Sequence, residues 1–180
     1  MSRILTSNGM YFPFDDPDSY HFTPEVIARA LSRICRFTGH TSEFYSVAQH
    51  CVMASEMAPA HLRMELLMHD ASEAFLGDVA SPLKAKLAAY REIEHRVEHA
   101  IAKQFALPFP HPPEVKVIDL RMLATERRDL LPRGHRGDDW ALMYKPFDWR
   151  IDPWPMEYAE HEFMQAYDKY HWERMSGRLS

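Results

Sequence analysis

Apolar positions recur along this chain at steps of three and four, the period of helices that turn one face to a core. Ile27, Ala30, Leu31 and Ile34 form the first stripe, opened by Thr23-Pro24-Glu25 as N-cap and first turn. That helix is expected to end around Arg36-Phe37, with Gly39 as its stop. Val47, Cys51, Ala54 and Ala58 form a second stripe over residues 44–57, with His50 on its border and Pro59 closing it. A third helix is expected over residues 61–76. A fourth spans 87–105 on Ile93, Val97, Ala100 and Ile101, and a fifth spans 114–130 on Val115, Ile118, Met122 and Thr125. The last covers 156–175 on Ala159, Phe163, Tyr167 and Tyr170.

The helical period lapses in three places. Residues 3–14 hold Asn8-Gly9 between two short β-prone runs, a strong hairpin signal. The stretch from Asp78 to Pro82 reads as a loop, followed by Lys84 and Lys86 before the fourth helix. Residues 131–155 are aperiodic and carry Trp140, Trp149, Trp154, Arg133, Arg136, Lys145 and Arg150, and a loop that long is usually functional or a cover. Six helical patterns with one small hairpin and no internal repeat predict an all-α fold, a helical bundle forming a single domain over residues 1–180.

The third stripe changes character along its length. Leu62 and Leu66 are followed on the same face by His69, Asp70 and Glu73, so it begins apolar and turns ionisable. An unpaired charge taken out of water costs several kcal/mol, so an imidazole and two carboxylates facing a core imply a partner of opposite charge, and a divalent metal is the natural candidate. Gly77 ends this helix and Asp78 follows at the same mouth. His50 borders the second stripe, and Asp119 lies between Val115 and Met122 on the fifth. Singly, each has an ordinary reading as a hydrogen-bonded core residue or a salt-bridge partner. Together, two imidazoles and two carboxylates from three helices suit Mn, Fe, Co, Ni or Zn.

Composition narrows the classes. The chain has 180 residues, 46% hydrophobic and 26% charged, enough for one core. A formal charge of −5 and a pI near 6.1 argue against a nucleic-acid partner and leave room for a small anionic substrate held by a few local cations. Cys35 and Cys51 lack CxxC spacing and read as two buried thiols in a reducing cytoplasm. No apolar run approaches the roughly 18 residues of a membrane span, and no signal-peptide core is visible, so a soluble, cytoplasmic protein is expected. His95 and His99 offer a rival zinc pair, but they lie nearly opposite the Ile93, Val97, Ile101 face and are expected to be exposed. Arg127, Arg128 and Arg133 read as a basic surface cluster, and the late tryptophans as packing anchors.

His50, His69-Asp70 and Asp119, in that order on three helices, resemble the H...HD...D signature of the HD-domain metal-dependent phosphohydrolases. The segments CRFTGH, FYSVAQH, MHDASEAFLGD and ASPLK resemble the bacterial 5'-deoxynucleotidases and a group of short bacterial and phage HD hydrolases, one phage branch of which cleaves dATP to deoxyadenosine and triphosphate. The resemblance covers about residues 27–130. It implies His50, His69, Asp70 and Asp119 as ligands of a divalent ion, Glu73 as the residue that orients or deprotonates the attacking water, and Asp78 as a reader of the sugar 3'-hydroxyl or a proton-transfer aid. It further implies Arg36 and Lys84 as phosphate contacts and Pro82 near the base or sugar. Where the monophosphate-specific branch has Arg-Trp, this chain has Arg36-Phe37, so Phe37 bears on sugar selectivity and phosphate number. The expectation is a metal-dependent hydrolase of the 5'-phosphoester of 2'-deoxynucleotides, triphosphate or monophosphate, acting as a homo-oligomer. The alternatives are a cyclic-nucleotide phosphodiesterase, disfavoured because residues 77–87 hold no further histidine for a second metal, and a binding module with a structural ion.

Overall fold

The computed structural model describes residues 2–132 and 143–177. Strand β1 (Arg3–Leu5) pairs antiparallel with β2 (Tyr11–Pro13), Leu5 facing Tyr11. The intervening loop is built on the dipeptide that announced it. Asn8 Oδ1 accepts from the Thr6 hydroxyl (2.7 Å) and the Met10 N–H (3.1 Å), and Gly9 takes φ +81°, which costs a residue without Cβ little. Phe12, Tyr20 and Phe22 then cluster on Phe75, with the Phe12 and Phe75 ring centres 4.6 Å apart, and so dock the hairpin on the body.

Helix α1 (Pro24–Leu31) is capped by Thr23, whose hydroxyl accepts from the Val26 N–H at 3.4 Å. It stops short of the expected end at Arg36-Phe37. The backbone of Ile34 and Arg36 is taken by an antiparallel bridge that joins Cys35 to Ser46, with Val47 N–H donating to Ile34 O (3.0 Å) and Arg36 N–H to Tyr45 O (2.9 Å). A 3₁₀ turn over Arg36–Gly39 follows, with Phe37 and Thr38 both at φ 54°. Arg36 is thereby turned inward and left only 9% exposed. Helix α2 (Val47–Glu56) begins at its Ser46 cap, later than expected, because Phe44 and Tyr45 lead into the bridge.

The third expected helix is segmented. A 3₁₀ turn over Ala60–Leu62 leads into α3 (Arg63–Met68), and α4 (Glu73–Leu76) follows after residues 69–72. His69 and Ser72 keep right-handed helical dihedrals, but Ala71, Glu73 and Ala74 donate three residues back, so the winding tightens to fewer residues per turn. A short helix α5 (Ser81–Lys84) stands where a loop was expected, with Pro82 in its first turn. The remaining helices are α6 (Ala88–Gln104), α7 (Pro113–Leu130) and α8 (Met156–Met175).

Helix α8 lies across α1, α2 and α3, burying Ala159, Phe163 and Tyr170. On the other side, α7 packs on α2 and α3 through Ala54, Leu62, Leu66, Val115 and Met122. The fold is mainly helical with a small antiparallel sheet, and α2, α3 and α7 meet along one seam. The late segment is anchored: Arg128 donates to the carbonyls of Phe147 (2.6 Å) and Trp149, and Trp149 stacks on Phe147 with the ring planes 6° apart. Trp154 packs against the main core and meets Tyr158 edge-on. Both tryptophans are packing anchors, as expected. Arg128, expected in a surface cluster, is instead a tie between α7 and this segment. Arg133, Arg136 and Trp140 lie outside the described residues. Among the described residues no helix is long and apolar enough to cross a membrane.

Candidate metal centre

Two imidazoles meet at the seam. His50, fully buried on α2, donates from Nδ1 to Glu126 Oε1 on α7 at 2.6 Å. His69, just past α3, donates from Nδ1 to the Leu66 carbonyl at 2.7 Å. With each outer nitrogen held, both Nε2 atoms turn to a common point 3.4 Å apart, which is how a ligand ring is oriented by what its other nitrogen binds. Asp119 Oδ1 lies 3.4 Å from His50 Nε2 and 3.9 Å from His69 Nε2. Asp70 Oδ2 lies 3.7 Å and 3.3 Å from the same two atoms. The ligand atoms of His50, His69 and Asp119 fall within 4.8 Å of one another, and so do those of Cys51, His69 and Asp70. A set of two imidazoles and two carboxylates fits a borderline divalent ion.

The electrostatics say the same. Burial and Arg36 both oppose charge on His50, but Glu126 and Asp119 outweigh them and raise its pKa. His69 is also opposed by burial, and Asp70 and Asp119 carry it well above the ordinary imidazole range. Burial resists charge on Asp119, yet the two imidazoles draw its carboxyl far below the usual range. The seam is built around positive charge. Burial pushes the neighbouring Cys51 thiol up to about 11.

Glu73 sits one turn past His69, 6% exposed, and its Oε2 is buried with no hydrogen-bond partner among the described residues. Burial, then Asp70 and Asp78, hold its carboxyl well above the usual range. Asp78, half-buried beyond Gly77 (φ +80°), is also raised by burial and Asp70, against the pull of Arg36 and Lys84. The sequence-predicted ligands and both predicted carboxylates therefore belong to one electrostatic group.

The predicted phosphate contacts already have carboxylate partners. Arg36 reaches Glu126 from Nη2 at 3.1 Å and Asp70 from Nη1 at 3.5 Å, and its Nε is buried with no partner among the described residues. The Phe37 ring lies 5.3 Å from that guanidinium. Lys84 Nζ is 2.6 Å from Oε1 of Glu94, itself only 8% exposed. Pro82 is exposed on α5. His95 and His99 are exposed, each meeting Phe109 edge-on.

Three participants escaped the sequence reading. Glu126 lies two helical turns beyond Asp119 on the same stripe, among the other charges of α7. Cys51 was read only as a buried thiol. His111 lines a cavity of about 10 Å³ with His69, Ser72 and Glu98, and its Nδ1 is buried with no partner among the described residues.

No protein-family model matches the chain. It is 45% identical over 130 residues to the uncharacterized protein YfdR of Escherichia coli (strain K12), an alignment that spans 72% of this chain and 73% of the relative. It is 34% identical over 111 residues to an uncharacterized protein of Rhodobacter capsulatus, spanning 56% of this chain and 57% of that relative.

Proposed function

We propose that this chain, which belongs to the family of Escherichia coli YfdR, is an HD-domain metal-dependent phosphohydrolase that cleaves the 5'-phosphoester of 2'-deoxynucleotides. The observation that carries the reading is the pair of His50 and His69 Nε2 atoms 3.4 Å apart, flanked by Asp70 and Asp119, with Glu73 beside them and its Oε2 without a partner among the described residues. His50, His69, Asp70 and Asp119 would hold the ion. Bound there, a divalent ion would polarise a phosphoryl oxygen and lower the pKa of water.

The chain's own groups supply the rest. Glu73 Oε2 accepts from the attacking water and takes its proton, a role suited to a carboxyl that burial and Asp70 hold above the usual carboxylate range. Asp78, at the mouth beyond Gly77, receives the sugar hydroxyl. Lys84 and Arg36 set positive charge opposite the phosphate, where fixed cations stabilise developing negative charge. Lys84 meets the substrate by exchanging Glu94 for phosphate oxygen. Phe37 and Pro82 flank the sugar and base.

The test is product analysis of Mn²⁺-loaded protein with dAMP, dATP and ATP. Deoxyadenosine with triphosphate from dATP alone marks a deoxynucleotide triphosphohydrolase, and phosphate from dAMP alone marks a 5'-deoxynucleotidase. No product from any deoxynucleotide, whatever the base, with the metal bound would overturn the proposal. In the same assay Glu73→Gln is expected to lose at least ~100-fold in turnover, the scale of general-base catalysis. It should keep its metal by atomic absorption, whereas a structural ion predicts no loss of function.

A further inference from the structure

Cys51 takes no part in the chemistry above, yet it lies at the centre. It follows His50 on α2, is fully buried, and its sulfur is within 4.8 Å of ligand atoms of both His69 and Asp70. An isolated buried cysteine is a small apolar side chain and nothing more. Here it shares a cluster with an imidazole and a carboxylate, which together are a metal-ligand set. His69 has one nitrogen to give, because Nδ1 is committed to the Leu66 carbonyl. His69 therefore belongs to two groups of donors that share it. His50 and Asp119, all nitrogen and oxygen, complete one set with His69, and Cys51 and Asp70, with sulfur, complete another.

We propose that Cys51, His69 and Asp70 form a second ligand set, specific for thiophilic divalent ions such as Zn²⁺ or Cd²⁺, that excludes the His50, His69, Asp119 set by claiming the Nε2 of His69. Thiolate selects soft ions, whereas imidazole with carboxylate accepts Mn²⁺. The thiol proton leaves to solvent as the metal–sulfur bond forms. The inference rests on the metal reading of the centre and adds a consequence. A thiophilic ion withdraws His69 and Asp70 from the catalytic set and leaves His50 and Asp119 behind, so it inhibits the Mn²⁺ enzyme by moving the site.

The chain has two cysteines, so Cys35→Ala leaves Cys51 as the sole thiol. This variant is loaded with Mn²⁺, and Cd²⁺ is added while free Mn²⁺ is read by electron paramagnetic resonance and cadmium–thiolate charge transfer in the ultraviolet. The expected result is a charge-transfer band that grows in step with Mn²⁺ release, one ion for one. Cys51→Ser, where it folds by circular dichroism, should show no band. Mn²⁺ uptake with no cadmium band in Cys35→Ala, or a band that grows while Mn²⁺ stays bound, would overturn the second set and leave the catalytic centre standing. Failure to take up Mn²⁺ at all would overturn both.

Discussion

Glu126 carries no ligand atom toward the seam, and yet two of the groups that shape it depend on its carboxylate. One oxygen holds His50 Nδ1 and the other holds Arg36 Nη2, both partners being buried with it. Burial opposes its charge, but Arg36 and His50 draw its carboxyl below the usual range, so it stays ionised. Glu126→Gln keeps the shape and removes the charge that fixes the His50 tautomer. Metal affinity is expected to fall by roughly 10- to 100-fold, the usual cost of removing the partner that orients a ligand imidazole, measured by competition with a chromophoric chelator. Unchanged affinity would mean that α2 packing alone orients His50. Glu126→Ala should cost about 3–5 kcal/mol in urea unfolding, because it leaves a buried guanidinium with one partner fewer. His50, His69, Asp70 and Asp119 were legible because each borders an apolar stripe of its own helix. Glu126 shares the Asp119 stripe, but its meaning lies in a contact between α7 and α2, which helical period does not encode.

Helix ends were the least legible features, and the site depends on them. The stripe through Ile34 continues smoothly toward Phe37, so nothing local announces that Cys35 will pair with Ser46 and turn Arg36 inward. Likewise, apolar spacing fits residues 61–76 as one helix, and tightening by a fraction of a residue around His69 leaves that spacing intact. What the pattern did show was where elements exist: the Asn8-Gly9 hairpin, the Thr23-Pro24 start and the long α6, α7 and α8. At the C-terminal end of α7 the segment 147–151 is held by side chains. Asp129 accepts from Arg128 (2.7 and 2.8 Å), Arg150 and the Ile151 N–H (3.0 Å). Burial works against its charge, but these donors hold its pKa at about 2. A carboxyl depressed on folding from ~3.9 stabilises the fold above that value, and this contribution is lost as the pH falls from ~4 through about 2. Asp129→Asn is therefore expected to cost about 1 kcal/mol at pH 7, allowing for solvent screening, with the difference from the parent closing by pH 2. Urea unfolding across that range checks it, and a cost independent of pH would assign the tie to hydrogen-bond geometry alone.

At the scale of the whole molecule, the two sides of the bundle are held by different means. α8 clasps α1, α2 and α3 with apolar side chains, Phe163 and Ala159 among them, and this side was readable as a bundle from its stripes. The opposite side joins α7 to α2 and α3 through a smaller apolar cluster and then through the ionisable seam, where the carboxylates of Asp70 and Asp78 crowd Glu73. An ion held by His50, His69, Asp70 and Asp119 would connect all three helices. Because the four groups converge only in the folded chain, the ion binds the native state and stabilises it by mass action, about 2.7 kcal/mol at a free concentration 100 times its dissociation constant. For a chain of this size that corresponds to a rise in Tm of roughly 5–10 °C, reversed by a chelator. His50→Ala should melt lower on its own account, so the diagnostic quantity is the shift on adding Mn²⁺, which should nearly vanish in the variant. An equal shift in parent and variant would place the stabilising ion elsewhere on the protein, and no shift in either at saturating Mn²⁺ would mean that the seam closes through its protonated imidazoles alone.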